Sequence, residues 1–512
     1  MRLTGLTITD TRARARPACV VFDTKIREVG PSSPVPRPSS LSVILPGLID
    51  SHTHPLEAGL AMLFLDLSGA GSVAEVQQRL LDRRQDALEH GLMLGFGLEP
   101  DRLSEYRYPN RGEIDEVIAE VPVFVYRVDG HSAVVNTAGL QLAVAKRPGV
   151  KPPGVEGDCS GRPTGVLRGE AYERASRVFK HRLGPETVLA ALGLASRQAA
   201  AKGVTTIGAL VGVEDTTDEE WRVLLDGLAT APVHAVPYLQ TWDVDVPRRF
   251  GLGQAGGCLL IDGSFGSRTA ALSRDYSDLP GNRGASYVSD EKLSAFLRAA
   301  SEAGLQAAVH AIGDRAVEQV VRCHEHLADR GPETGDWRLE NPLRHRIEHA
   351  ELLSGPLIER IARIGLVLGV QPAFEKEWGG PDRMYSKRLG ERWRNTNPYR
   401  HLLDAGVRLA GGSDAPITPI DPVAGIRAAM ERPNHGETAT GDEALAMFTS
   451  EAAFALSRES ICGSIEVGKD ADFTVLTADP RTAGPCEVVA TFRGGKCVYR
   501  YESLNEYLRL ED

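Results

Sequence analysis

LSVILPGLIDSHTH, residues 41–54, sets the reading of the whole chain. It starts as a nearly unbroken apolar run and ends in two histidines spaced i, i+2. A run without polar alternation suits a strand buried on both faces, as in a parallel sheet. Seven similar runs follow: VTTIGALVG (204–212), VHAVPYLQT (233–241), GGCLLIDG (256–263), LQAAVHAIG (305–313), LRHRIEHA (343–350), LVLGVQP (366–372) and VRLAGGSDAP (407–416). Helical patterns such as EKLSAFLRAASEAG and LLSGPLIERIARIG lie between them. Strands alternating with helices predict an α/β fold, and eight such units predict a closed (β/α)8 TIM barrel.

Outward from these runs the rhythm fails in two places. Residues ~56–190 read as an insertion after the first barrel strand, with a helix in SVAEVQQRLLDRRQDALEHG and a strand in VPVFVYRVD. Both chain ends read as short strands. LTGLTITD and ACVVFDTKIREVG precede the break PSSPVPRPSS, and DADFTVLTADP and EVVATFRGGKCVYRYES lie at the far end. Neither set can bury a face alone. They are expected to join into a small composite β-sandwich domain of residues 1–42 and 463–512, leaving 43–462 as the barrel.

Composition narrows the function classes. The chain has 512 residues, 42% hydrophobic and 25% charged, which is ordinary for a globular protein with a large core. A net charge of −11 makes phosphate neutralisation, and so nucleic-acid binding, a poor fit. No run of ~18 apolar residues points to a membrane helix. Seven cysteines, an odd number with no CxxC pair, argue for a reducing compartment. The first residues lack an apolar leader segment. A cytoplasmic protein is expected, with neither nucleic acid nor membrane as partner. No GxxxxGK[ST] phosphate loop or GxSxG nucleophile elbow is present.

The strand ends carry the chemistry. The first run ends in His52 and His54, the fifth holds His310, the sixth His349, and the eighth Asp414. In a barrel these ends converge on one rim. The i, i+2 spacing puts His52 and His54 on one strand face. Five N and O donors from four strands suit a divalent metal, and zinc accepts such ligands at ~2.0–2.2 Å. A single histidine among the chain's 13 would more often be a packing residue. An HxH pair followed by single donors on three later strands is hard to obtain by chance.

Those residues sit in motifs. LPGLIDSHTHP, VHAIGDRAV, HRIEHAE, GGSDAP and GSIEVGKDADFTVL resemble the amidohydrolase superfamily. DGHSAVVNTAGL, PTGVLRGEA and DGSFGSRTAAL are similar to the branch that includes N-substituted formamide deformylases. The resemblance spans nearly the whole chain. It implies a metal-dependent hydrolase with a (β/α)8 barrel and a composite terminal β domain. It also implies His52, His54, His310, His349 and Asp414 as metal ligands, with Asp414 as general base. It implies catalytic or substrate-binding contact for His131, which can donate to a carbonyl or an oxyanion. A homodimer is expected for this type of protein.

One position departs from the pattern. The family commonly places a lysine on the fourth strand that bridges two metals when carboxylated, and this chain has Cys258 there. A thiolate ligates zinc well, but the cysteine side chain is several atoms shorter. Strand alternation puts Asp262 on the same face nearer the rim, so Asp262 is the alternative carboxylate. The reach argument predicts one tight metal, with a second weak or absent. Arg268 is a candidate for pairing with a substrate carboxylate, with Arg127 and Arg168 behind it. Trp378 and Tyr385 are candidates to line the pocket. The expected activity is hydrolysis of a non-peptide C–N bond, in an N-formyl, N-acyl or cyclic amide. The alternatives are a catalytically silent scaffold, or a deaminase or C–C or C–O hydrolase on the same site.

Overall fold

The run at 41–54 divides into two strands that belong to different sheets. Val43–Pro46 joins strands from the chain ends, and Leu48–Thr53 joins the central body. The break falls at Gly47, whose N–H donates to the Asp472 carbonyl at 2.9 Å. A Cβ at Gly47 would stand 2.2 Å from the Thr205 hydroxyl. Only glycine lets the backbone pass so close. This computed structural model describes residues 1–8, 16–30, 43–144, 153–328, 341–501 and 509–511. The segment PSSPVPRPSS lies outside them.

The eight expected strands are all present. We label them β1 (Leu48–Thr53), β2 (Val204–Val211), β3 (His234–Leu239), β4 (Gln254–Leu260), β5 (Gln306–Ala311), β6 (Arg346–His349), β7 (Val367–Val370) and β8 (Arg408–Gly411). They form two parallel sheets, one in the order β3-β2-β1 and one in the order β4-β5-β6-β7-β8. β1, β2, β5, β6 and β7 are buried throughout, as the continuous apolar runs require, while β3 and β4 are partly buried along their length and β8 begins exposed.

The expected closed barrel is not realised as a closed ring of ladders. Among the described residues no ladder joins β3 to β4 or β8 to β1. Each seam has a local cause. At the first, β4 carries Gly256 and Gly257 at φ +84° and +99°, and its register against β5 shifts between Gly256 and Leu260. A strand bent this way cannot hold a regular ladder. At the second, Ile49 of β1 donates to the Phe448 carbonyl at 2.8 Å instead of to β8. The Phe448 ring also fills the space beside Gly411 of β8, where a Cβ would meet it at 2.6 Å. Past the strand ends the rims do meet: Asp414 N–H donates to His52 O at 2.8 Å, and His54 N–H to Ala415 O at 3.0 Å.

The inserted stretch builds a six-stranded sheet of its own. Its order is Val155–Gly157, Pro163–Arg168, Ser132–Val135, Val123–Arg127, Met93–Leu98, Leu65–Asp66. The helix Gly169–Lys180 follows it and faces the rim.

The chain ends share one eight-stranded sheet, running from Lys496–Arg500 through Val488–Arg493, Phe473–Leu476, Val43–Pro46, Arg2–Ile8 and Arg16–Phe22 to Ile26–Gly30. Arg509–Glu511 pairs beside Arg2–Ile8. Phe22 and Phe473 are three strand spacings apart, about 14 Å in a flat sheet. Their rings lie 5.3 Å apart, edge to face. The sheet therefore curls over its own apolar side, and one curled sheet takes the place of the expected two-layered sandwich.

Candidate metal centre

β1 delivers its histidines by the alternation of an extended strand, although its ladder with β2 shifts register on either side of Ile49–Asp50. His52 is fully buried, and His54 follows at the strand's end. Beneath them β6 supplies Arg346 and Glu348 on one face, at i, i+2. Arg346 Nε stands 2.7 Å from Glu348 Oε1. Glu348 Oε2 accepts from His52 Nδ1 at 2.6 Å. That contact fixes the ring and leaves His52 Nε2 facing inward, 3.1 Å from Asp414 Oδ1. His54 Nε2 lies 3.1 Å from the same oxygen.

The other two histidines are held in the same manner. His349 Nδ1 donates to Gln371 Oε1 at 2.8 Å. His310 Nε2 donates to the Gly263 carbonyl at 3.3 Å. In each case one ring nitrogen is tied to an acceptor outside the cluster and the other is aimed into it. Proteins orient metal-binding imidazoles in this way. Three groups of donor atoms lie within 4.8 Å of one another: His52, His54 and Cys258; Cys258, His310 and His349; and His52, His349 and Asp414. Four imidazoles, a thiol and a carboxylate so arranged fit zinc or a similar divalent ion.

Cys258 belongs to two of those groups. Its Sγ lies 3.5 Å from His310 Nδ1 and 3.9 Å from His349 Nε2. The thiol thus reaches the histidines despite its short side chain, contrary to the expectation from length. The backbone supplies the reach. A Cβ on Gly257 would sit 2.8 Å from Tyr238 Cβ, and one on Gly256 2.4 Å from the Ala308 carbonyl. The two glycines let β4 bulge between its neighbours and carry the next residue toward the rim centre.

The cluster's charges support one another. Burial opposes a thiolate at Cys258, but His310, His349 and His52 outweigh it and hold the thiol well below its usual range. Burial likewise opposes the Asp414 carboxylate, and His52 and His54 hold it well below the usual range. Burial works against a charged His54, yet Asp414 and Cys258 raise it to about 9. The backbone is strained here too: His349 and Asp414 have φ of +74° and +55°. Such conformations cost ~1–3 kcal/mol each and persist where neighbours impose them. Asp50 helps impose the second, its Oδ1 accepting the Ser413 N–H at 2.9 Å.

Asp262 is not among the clustered donors. Both its oxygens are taken up by backbone, from Ile312 and Gly313 at 2.9 Å and Ala271 at 2.7 Å. β4 ends at Leu260, so the alternation that placed Asp262 beside Cys258 no longer applies. It stands 3.6 Å from His310 Nε2 and steadies that ring. Arg268 turns away to pair with Asp278 at 2.8 Å and does not line the cleft. Arg168 packs over the Tyr108 ring. Arg127 does line the cleft, but Asp129 binds it at 2.8 Å. His131 lines the cleft with its ring 5.1 Å from that of His310, and burial lowers its pKa to about 4. A neutral imidazole there can donate one hydrogen bond. Trp378 and Tyr385 line a smaller cavity behind His349 and Asp414.

Sequence reasoning missed Glu348, Arg346 and Gln371, which hold the ligands in place. HRIEHAE carried the signal for the first two, since strand alternation puts Arg346 and Glu348 on one face. Gln371 had no such signal. Above the cluster opens a cleft of about 590 Å3, walled by the rim on one side and the inserted segment on the other. That size suits a small-molecule ligand.

The chain belongs to the amidohydrolase family, which it matches over residues 42–499. It is 32% identical over 490 residues to the protein LONG AFTER FAR-RED 3 of Arabidopsis thaliana, covering 89% of this chain and 82% of that one. It is 26% identical over 530 residues to an N-substituted formamide deformylase of Arthrobacter pascens, covering 95% and 93%. Among solved structures it resembles an uncharacterized metal-dependent hydrolase from Pyrococcus furiosus. That match has a TM-score of 0.72 and 26% identity, covering 94% of this chain and 99% of the other. No helix among the described residues is long and apolar enough to cross a membrane.

Proposed function

We propose that this protein is a metal-dependent hydrolase that cleaves a non-peptide C–N bond in a small N-formyl, N-acyl or cyclic amide. The observation that carries the reading is that His52, His310 and His349 are each tied on one ring nitrogen outside the cluster and aim the other into it, where they gather with His54 around Asp414 and Cys258. His52, His54, His310, His349 and Asp414 would hold the metal, and zinc suits the set. Cys258 is shared by two of the donor groups and would help His52, His54, His310 and His349 hold the metal. When bound, the metal favours hydroxide over water and polarises a carbonyl.

The chain's own groups supply the rest. Asp414 takes the proton of the attacking water and returns it to the leaving nitrogen. Its carboxylate is poised for the first step, since His52 and His54 keep it ionised. His131 donates to the acyl oxygen as negative charge gathers there. We further propose that residues 1–42 and 463–512, together with the strand Val43–Pro46 that pairs in their sheet, form a terminal unit and that the rest of 43–462 is the catalytic body, with the insert walling the cleft. The protein would act in the cytoplasm on small amides, without nucleic acid or membrane partners, and as a homodimer.

The test is a hydrolysis screen of N-formyl, N-acyl and cyclic amides, with metal analysis of the same preparation. Turnover that depends on bound metal supports the reading. Stoichiometric metal without turnover on any amide would overturn the amide assignment, and protein that takes up no metal would overturn the whole.

A further inference from the structure

The wall of the cleft opposite the rim contains a carboxylate and a guanidinium that make no close side-chain contact among the described residues. The helix Gly169–Lys180 lines it with Tyr172, Glu173, Ser176, Arg177 and Lys180. Two of these are already engaged. Lys180 Nζ stands 2.6 Å from Glu57 Oε1, and the Ser176 hydroxyl bonds Tyr126 at 3.2 Å. Glu173 and Arg177 have no contact as close among the described residues. The Glu173 carboxylate makes no hydrogen bond or ion pair within 4 Å among the described residues, and burial pushes its pKa up against the opposing pull of the more distant Lys180 and Arg177 charges. Among the described residues the Arg177 side chain makes no hydrogen bond, and its ion-pair contact is Asp215 at 3.9 Å. The two are spaced i, i+4, where opposite charges on a helix normally pair with each other. Here they remain apart and both face the cleft that holds Cys258, His310, His349 and Asp414.

A carboxylate and a guanidinium one helix turn apart match a ligand group that carries an ammonium and a carboxylate on neighbouring atoms. Guanidinium binds a carboxylate through two parallel hydrogen bonds, and a carboxylate accepts from an ammonium. We propose that Glu173 and Arg177 recognise the zwitterionic head of an α-amino acid, and that the amide cleaved at the metal is carried on the far end of that amino acid's side chain. This inference rests on the amide-hydrolase reading. The substrate class is then ω-N-acyl or ω-N-formyl diamino acids. Hydrolysis adds water across the C–N bond, with oxygen passing to the acyl carbon and a proton to the leaving nitrogen. The products are a carboxylic acid and the free diamino acid. A cleft of about 590 Å3 holds a molecule of this size.

The experiment compares kcat/KM of the metal-loaded enzyme on four probe types: the ω-N-formyl and ω-N-acetyl derivatives of ornithine and lysine, the same compounds α-N-acetylated, the same as α-methyl esters, and the matching N-alkyl amides with no head. Loss of either charge should lower kcat/KM by at least about 10-fold, as expected for a lost charge-assisted hydrogen bond. In Glu173→Gln the ratio between free and α-acetylated probes should fall toward one. In Arg177→Gln the ratio between free acid and ester should do the same. Calorimetric titration with L-lysine and with 1-aminohexane gives a second readout independent of turnover, and L-lysine should bind at least about 10-fold more tightly. Equal rates with and without the head, sensitivity to one charge alone, or equal binding of the two amines would overturn the proposal. If no amide is cleaved yet L-lysine binds preferentially, the hydrolase reading fails and the head-group site stands.

Discussion

β1 and β4 both bring metal-site residues to the same rim, and they do it by different physics. β1 is fully buried and keeps left-handed glycines out of its length; its ladder with β2 shifts register twice, yet the i, i+2 spacing still brings His52 and His54 to one face. β4 is bent at two left-handed glycines, and it moves its backbone inward so that a short side chain reaches the centre. Side-chain length and backbone displacement can therefore stand in for one another. A chain that lacks the long bridging lysine can still place an anion between the histidines.

The comparison can be tested at graded cost. Replacing His52 and His54 together with alanine should abolish metal retention while far-UV circular dichroism keeps its native form. The body's core is apolar and does not rest on the ion. Unfolding of the double variant would mean that the metal builds β1 rather than merely occupying it. Asp414→Asn keeps the shape and one oxygen but cannot take a proton. It should retain most of its metal and lose about 10²–10⁴-fold in kcat; turnover within a few-fold of wild type would remove Asp414 from the proton-transfer role.

On the β4 side, Cys258→Ser should lower metal stoichiometry or weaken one bound ion by about 10–100-fold. Titration with a competing chelator measures this, and an unchanged profile would show that the bulge delivers a bystander. Gly257→Ala leaves the thiol in place but strains its carrier. The added Cβ meets Tyr238 at 2.8 Å with φ at +99°. A loss of about 1–3 kcal/mol in denaturant unfolding is expected, together with some of the metal loss of Cys258→Ser. A stable variant with full metal content would break the link between the bulge and the site. The smallest effect should come from Arg268→Ala. Its pair with Asp278 is partly exposed, and such pairs contribute about 0–1 kcal/mol. A large drop in kcat/KM there would restore the arginine to substrate binding.

Legibility in the sequence followed the same division. The eight strands were readable because both faces of each are buried, which leaves an apolar run in the chain. His52, His54, His310, His349 and Asp414 were readable because they end those runs. Cys258 was misjudged because its reach depends on dihedral angles at Gly256 and Gly257, and two glycines in a row do not announce their φ. Asp262 was misplaced because alternation was carried past Leu260, where the strand stops. The seams beside β4 and β1 were invisible, since Phe448 lies far along the chain from the strand edge it occupies. Glu173 and Arg177 drew no notice because an i, i+4 pair on a helix looks self-satisfied until the distance is known.

The division of residues 41–54 at Gly47 also governs when the molecule can be finished during synthesis. β1 can pair as soon as Val204–Val211 has left the ribosome. The strand just before it can pair at once with Arg2–Ile8, but its other edge must wait for Phe473–Leu476, more than 400 residues later in the chain. At ~5–20 residues per second that interval is about 20–90 s. Throughout it the nascent chain exposes one apolar edge at Val43–Pro46, immediately upstream of its first two metal-binding histidines. A holding chaperone that recognises extended apolar segments would find its target there, and release would coincide with the arrival of the chain's last strands.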